Sequence, residues 1–183
     1  MVVFDTSTFV LALDENARPP TDPATGKPVE KGKERVKHLI ATLSKARTSM
    51  LIPIPVVAEY LVKIRNKQEF VDKLVMSRYF EVGVFDMKAA IELSMLLDPD
   101  LQGTKTLDDK TTKAKITFDR QIVAIAKARG ADRLYTDDQK LAALARNNGI
   151  AAVMTWDIPL PPLPPDLEFD FPDPNETKPG SDS

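Results

Sequence analysis

Short apolar runs alternate along the chain with longer segments that repeat apolar positions every three or four residues. The short runs predict buried β-strands and the longer segments predict amphipathic helices. The predicted strands are Met1–Phe4, Ser49–Ile54, Phe80–Phe85, Arg133–Thr136 and Ile150–Met154. The predicted helices are Thr6–Leu13, Glu30–Arg47, Pro55–Arg65, Glu69–Tyr79, Asp86–Leu97, Thr117–Arg129 and Gln139–Asn147. Strands alternating with helices in this way predict an α/β fold with a parallel sheet of four to five strands, covered on both faces.

Three segments depart from this alternation. Residues 14–30 are rich in Pro, Asp, Thr and Gly and predict a long loop, and the polar residues 98–115 predict a connecting segment. After residue 158 the chain becomes Pro-rich and then acidic. We therefore predict a domain over residues 1–156 and an extended or disordered tail over residues 157–183. Such a tail could bind an aromatic groove of a partner, but a simple tail is the favoured interpretation.

The charge is unevenly distributed. The tail after Trp156 holds seven acids and one base, which leaves 20 of the 27 acids and 24 of the 25 bases in residues 1–156, a net charge of +4. A basic body suits a polyanionic substrate bound through its phosphates. The chain has no cysteine and one histidine, which excludes disulfides, Cys-ligated zinc and multi-histidine metal sites. Because no apolar run is long enough to cross a bilayer, we expect a cytoplasmic protein without membrane contact.

Acids interrupt apolar runs where strands end or helices begin, namely Asp5, Glu59, Asp119 and the pair Asp137 and Asp138. A carboxylate in such a position needs something to offset its desolvation. The carboxyl ends of parallel strands share one edge of the sheet, so these acids can meet there. Mg²⁺ or Mn²⁺ would offset their mutual repulsion, because both ions prefer oxygen ligands.

Each acid also has a purely structural interpretation. Asp5, Asp119 and one of Asp137 or Asp138 could cap the helices that follow them. Glu59 could be an ordinary surface residue, although it borders an apolar helix face. None of these interpretations explains why the acids would share one edge of the sheet.

The order of four motifs resembles the PIN domain, and most of all its prokaryotic branch of VapC-type toxins. The motifs are Val-Val-Phe-Asp-Thr-Ser-Thr-Phe-Val, Pro-Val-Val-Ala-Glu-Tyr-Leu, Phe-Asp-Arg-Gln-Ile-Val-Ala-Ile-Ala and Leu-Tyr-Thr-Asp-Asp-Gln-Lys-Leu, within residues 1–156. The resemblance implies a three-layer α/β/α sandwich, a metal-dependent ribonuclease and a homodimer, with RNA as substrate and an antitoxin protein as a candidate partner. The loops 14–30 and 98–115 and the tail are longer than in compact toxins.

The resemblance also implies roles for individual residues. Asp5, Glu59, Asp119 and Asp138 would be the catalytic acids that hold Mg²⁺ or Mn²⁺, because Asp138 lies two residues after Thr136. Asp137 and Thr136 would support these ligands, as would the hydroxyl of Thr6 or Ser7 near Asp5. Candidate phosphate contacts are Lys63, Arg65, Lys113, Lys115 and Arg120, although for any one of them a solvated surface base is the favoured interpretation.

Two alternatives remain at the level of sequence. A phosphatase of the HAD type would require a second aspartate two residues after Asp5, where Ser7 stands. A PIN-shaped binding module, with little or no catalysis, would act through a protein partner. Since no acid of the four motifs is missing, the sequence favours the nuclease.

Overall fold

The computed structural model describes residues 1–97 and 110–162, with the backbone alone over residues 110–117. Five parallel strands form one sheet in the order β3-β2-β1-β4-β5. The strands are β1 (Val2–Phe4), β2 (Met50–Pro53), β3 (Phe80–Gly83), β4 (Arg133–Tyr135) and β5 (Ala151–Val153). They form the all-parallel sheet that the sequence predicts.

Helices connect the strands and cover both faces of the sheet. The described helices are α1 (Thr6–Leu13), α2 (Gly32–Lys45), α3 (Ile54–Lys63), α4 (Lys67–Val75), α5 (Met87–Leu97), α6 (Lys110–Ala128) and α7 (Gln139–Asn147). The chain first runs outward from β1 to β3 and then returns through β4 to β5. Because such crossovers are right-handed, α1 to α4 lie on one face and α5 to α7 on the other. This is a three-layer α/β/α arrangement.

The core lies between the sheet and the helices. The strands β1 and β2 are buried along their whole length, and the C-terminal half of α6 contributes Ile122 through Ala126 to the same cluster. Gly83 lets α6 approach the sheet, because a Cβ built there would lie 2.7 Å from Cγ2 of Ile125. The helix α6 ends at Ala128, and Gly130 follows it with a φ of 68°, which favours glycine.

Helices α1 and α7 have the bounds predicted from the sequence, whereas others differ. The predicted helix Glu69–Tyr79 was wrong at both ends, because Asn66 caps α4 and Ser77 begins a turn after it. The predicted helix Thr117–Arg129 begins earlier, at Lys110, so that the last residues of segment 98–115 are helical. Residues 98–109 of that segment, and residues 163–183 of the predicted tail, lie outside the described residues.

The sheet has its topological switch point between β1 and β4, the two strands from which the chain winds in opposite directions. Parallel α/β sheets bind ligands beyond the carboxyl ends of the strands at such a point. Asp5 follows β1 directly, and Thr136, Asp137 and Asp138 follow β4. The fold therefore places these residues beside one another at the edge where a ligand is expected.

Candidate active site

A cleft of about 670 Å³ opens at the switch point, between α1, α3, α6 and the start of α7. Its walls include every acid singled out in the sequence: Asp5, Glu59, Asp119, Asp137 and Asp138. These residues come from four separate stretches of the chain. The structure thus brings all five predicted acids to one cleft.

Asp5 is a buried carboxyl held entirely by neutral donors. It caps α1, and its Oδ1 accepts hydrogen bonds from the Ser7 hydroxyl at 2.7 Å and from the Thr8 N–H at 3.2 Å. Its Oδ2 accepts a hydrogen bond from the Thr136 hydroxyl at 2.5 Å. Burial raises the pKa of Asp5 to about 6, although these hydrogen bonds act to lower it, and the nearby Asp137 raises it further. The capping interpretation of Asp5 is correct, but capping does not offset the desolvation.

Thr136 links Asp5 to the end of β4. Its buried hydroxyl donates to Asp5 and accepts a hydrogen bond from the Asp138 N–H at 3.0 Å. Asp138 caps α7, because its Oδ1 accepts from the N–H groups of Lys140 and Leu141 at 2.8 and 3.2 Å. One hydroxyl therefore fixes the relative positions of two of the predicted metal-binding acids.

Asp137 points toward the end of β5. Its two oxygens accept hydrogen bonds from the N–H and the hydroxyl of Thr155, each at 2.8 Å. Its own N–H donates to the Ser7 hydroxyl at 3.1 Å. Burial raises the pKa of Asp137, while the bonds from Thr155 lower it. Both oxygens of Asp137 are engaged by Thr155, so Asp137 supports the neighbouring chain segments, whereas Oδ1 of Asp138 caps α7.

Glu59 and Asp119 reach the cleft from helices on opposite faces of the sheet. Pro55 lies in the first turn of the helix α3, which buries Val56, Val57 and Tyr60 and leaves Glu59 exposed. The Thr6 hydroxyl donates a hydrogen bond to the Glu59 carboxylate and so ties α1 to α3. Asp119 lies on α6, where it is partly exposed.

The donor set fits a hard divalent cation. All the candidate ligands are carboxylate oxygens, and Asp5 is buried with hydroxyl and amide donors as its partners, which leaves its negative charge without a compensating base among the contacts described above. Within residues 1–97 and 118–162, no three His, Asp or Glu side chains are yet close enough to one another to hold an ion. Glu59 and Asp119 are the exposed or partly exposed members. A metal centre would therefore require these two side chains to change rotamer, toward the fixed Asp5 and Asp138.

Several cleft residues were missed by sequence reasoning. Ser7, the predicted alternative to Thr6, donates to Asp5. Thr155 was missed, because an isolated hydroxyl residue gives no local signal for its contact with Asp137. Arg18, from the predicted loop, and Phe118 also line the cleft. Of the predicted phosphate contacts, Lys63 lines it, Arg65 and Arg120 do not, and the side chains of Lys113 and Lys115 are outside the described part of the structure.

The chain matches no protein-family model and no curated protein. It is similar to one chain in the crystal structure of VapBC2 from Rickettsia felis bound to a DNA fragment from their promoter. The TM-score is 0.51 at 17% sequence identity, and the match covers 84% of this chain and 98% of the other. None of the described helices is long and apolar enough to cross a membrane. The structural likeness confirms the predicted three-layer α/β/α, PIN-like fold.

Proposed function

We propose that this protein is an Mg²⁺- or Mn²⁺-dependent endoribonuclease that hydrolyses RNA phosphodiester bonds in the cleft at the switch point. Asp5, Glu59, Asp119 and Asp138 are its metal ligands. The observation that carries the proposal is the buried Asp5 carboxyl at the floor of a cleft whose walls hold the other three acids. A buried carboxyl with neutral partners is costly to ionise, and a divalent cation offsets that cost.

The residues of the cleft have separate tasks in this proposal. Asp5 and Asp138 are fixed ligands, because Thr136 and the two helix caps hold them in place. Glu59 is positioned by Thr6 and Asp119 by α6. When bound, a divalent cation acidifies a water for in-line attack on the phosphodiester and stabilises the leaving oxygen. Arg18 and Lys63 at the walls bind the flanking phosphates of the substrate.

RNA cleavage with matched variants tests this proposal. A labelled single-stranded RNA pool should be cut by the wild type with Mn²⁺ or Mg²⁺ and left intact with excess EDTA. Asp119→Asn should abolish cutting, because it removes the anionic ligand with little change in volume. Asp72→Asn, which alters an exposed acid of α4 outside the cleft, should cut as the wild type does. If Asp119→Asn prepared in parallel cuts at the wild-type rate, the assignment of the site is wrong.

One observation favours a second candidate, a binding module with little or no catalysis. In the described side chains, the acids line the cleft without being close enough to hold an ion. A binding module would show no thermal stabilisation by Mn²⁺ and no cleavage of any RNA, whereas a nuclease would show both. The cleavage assay and a thermal shift with Mn²⁺ therefore separate the two candidates.

We also propose that the protein forms a homodimer and binds an antitoxin protein. The similar structure is a VapBC2 complex, and α5 of this chain exposes an apolar stripe of Met87, Ile91 and Met95, which are 76%, 50% and 48% exposed. Stripes of this kind occur on surfaces that bind other proteins. Light scattering of the wild type and of Ile91→Glu tests the proposed dimer. The mass in solution should be smaller for the variant than for the wild type.

A further inference from the structure

Phe118 is a large aromatic side chain left half in solvent beside the candidate metal ligands. It directly precedes Asp119 on α6, lines the cleft and is 48% exposed. It is not part of the hydrophobic core, to which the described side chains of α6 contribute Ile122 through Ala126. Exposing an aromatic ring forfeits the large burial energy that such a side chain provides in a core. Its position in the lining makes the ring accessible to a ligand that enters the cleft.

The cleft offers more than phosphate and metal chemistry requires. Besides the acids, two hydroxyl residues and two basic residues, its walls consist of apolar side chains, among them Val10, Leu11, Pro55, Phe118 and Ile122. A phosphodiester alone would use cations and oxygen donors. The apolar walls beside the acids and bases suit a ligand with a flat apolar surface. In RNA, that surface is the face of a nucleobase.

Two basic residues flank this apolar wall. Arg18 and Lys63 line the cleft, are exposed, and form no ion pair with an acid in the described portion of the chain. They are therefore available to phosphates on either side of a bound nucleotide. The cleft volume of about 670 Å³ lies within the range of pockets that enclose a small organic ligand. Base faces are accessible to a side chain only where RNA is unpaired.

We propose that Phe118 stacks on an unpaired nucleobase next to the scissile phosphate, and that Arg18 and Lys63 contact the phosphates on its two sides. This inference rests on the proposed function, because it places RNA in the same cleft. It assigns Phe118 as the residue that holds a nucleobase beside the scissile phosphate, whichever base that is. Stacking tolerates every base but requires that a base be present.

Binding of short single-stranded RNA to Phe118 variants tests this assignment. Affinity is measured by fluorescence anisotropy in Ca²⁺, with a gel to verify that the RNA remains intact. Phe118→Ala should weaken binding by about tenfold, within the range of single stacking contacts. Phe118→Leu, which keeps apolar volume without a π-face, should bind nearly as weakly, and Phe118→Trp should keep wild-type affinity.

RNAs that each lack one base distinguish stacking from a structural role. Removal of one particular base should weaken wild-type binding about as much as Phe118→Ala does, and with that RNA the variant should show no further loss. Tyr79→Ala is the control, because Tyr79 is 50% exposed and lies outside the cleft, and it should bind as the wild type does.

Three results would overturn the assignment. In the first, Phe118→Ala binds every RNA as tightly as the wild type does. In the second, Phe118→Ala lowers the affinity for every abasic RNA by the same factor, which would indicate a general effect on the cleft. If the wild type cuts RNA while either result holds, only the stacking role fails. If the wild type neither binds nor cuts any RNA, the proposed function fails together with it.

Discussion

Replacing Asp5 with asparagine tests whether the buried carboxyl destabilises the metal-free protein. Burial raises the pKa of this group from 3.8 to about 6. For an acid, a raised pKa means that the folded state binds the proton more tightly than the unfolded state does. Asp5 therefore favours folding below about pH 4, and this contribution is lost as the pH rises through about 6.

The size of the effect follows from the two pKa values. Each tenfold change in acidity corresponds to about 1.4 kcal/mol, so ionised Asp5 costs about 3 kcal/mol above pH 7 relative to its protonated form. Part of this free-energy cost is already present at pH 4, where Asp5 of the unfolded chain is partly ionised. Asparagine does not titrate, so Asp5→Asn should gain roughly 2 kcal/mol over the wild type between pH 4 and pH 8. A constant offset from the altered hydrogen bond with Thr136 does not change with pH.

Urea unfolding at several pH values in EDTA measures this change. The single tryptophan, Trp156, lies in the turn next to Thr155 and reports unfolding by fluorescence. The free energy of unfolding of wild type and Asp5→Asn should diverge between pH 4 and pH 8, while the control Asp72→Asn should follow the wild type. Parallel curves for wild type and Asp5→Asn over this range would refute the claim that the buried, ionised Asp5 destabilises the metal-free protein.

Three further predictions concern the groups that position the acids. Thr136→Val should lower the free energy of unfolding by about 1–3 kcal/mol, because it removes the hydroxyl that binds Oδ2 of Asp5 and the Asp138 N–H. Thr136→Ser should restore stability in the same denaturation assay. Asp138→Asn should keep the α7 cap and lose RNA cleavage. Asp138→Ala should lose cleavage and also about 1 kcal/mol of the free energy of unfolding, and equal stability of the two variants would contradict the capping role of Asp138. Thr6→Val should slow cleavage about 10- to 100-fold by releasing Glu59, with an unfolding temperature close to that of the wild type, and Thr6→Ser should recover the rate.

Local chemistry explains which parts of the fold could be predicted from the sequence. The helices α1 and α7 have their predicted bounds because Asp5 and Asp138 are capping residues directly before apolar periodic segments. The start of α6 was missed because residues 110–116 are mostly polar or β-branched and show no apolar period. Asn66 before α4 was a readable capping signal that the prediction overlooked.

Some features of the candidate site could likewise be predicted from the sequence, and others could not. The position of Asp5 and Asp138 at one edge of the sheet follows from their places after strands, which a sequence shows. The bond from Thr6 to Glu59 joins residues 53 positions apart, and the bonds from Thr155 to Asp137 depend on where β5 ends. Such contacts arise from tertiary packing, so no local pattern encodes them.

Binding of Mn²⁺ to the purified protein is the most direct test of the central claim that these acids form a metal centre. Free Mn²⁺ is followed by electron paramagnetic resonance during a titration of wild type, Asp5→Asn and Asp72→Asn at pH 7.5. The account predicts saturable binding by the wild type and by Asp72→Asn, and loss of that binding in Asp5→Asn. Equal binding by wild type and Asp5→Asn, or no saturable binding by the wild type, would contradict it.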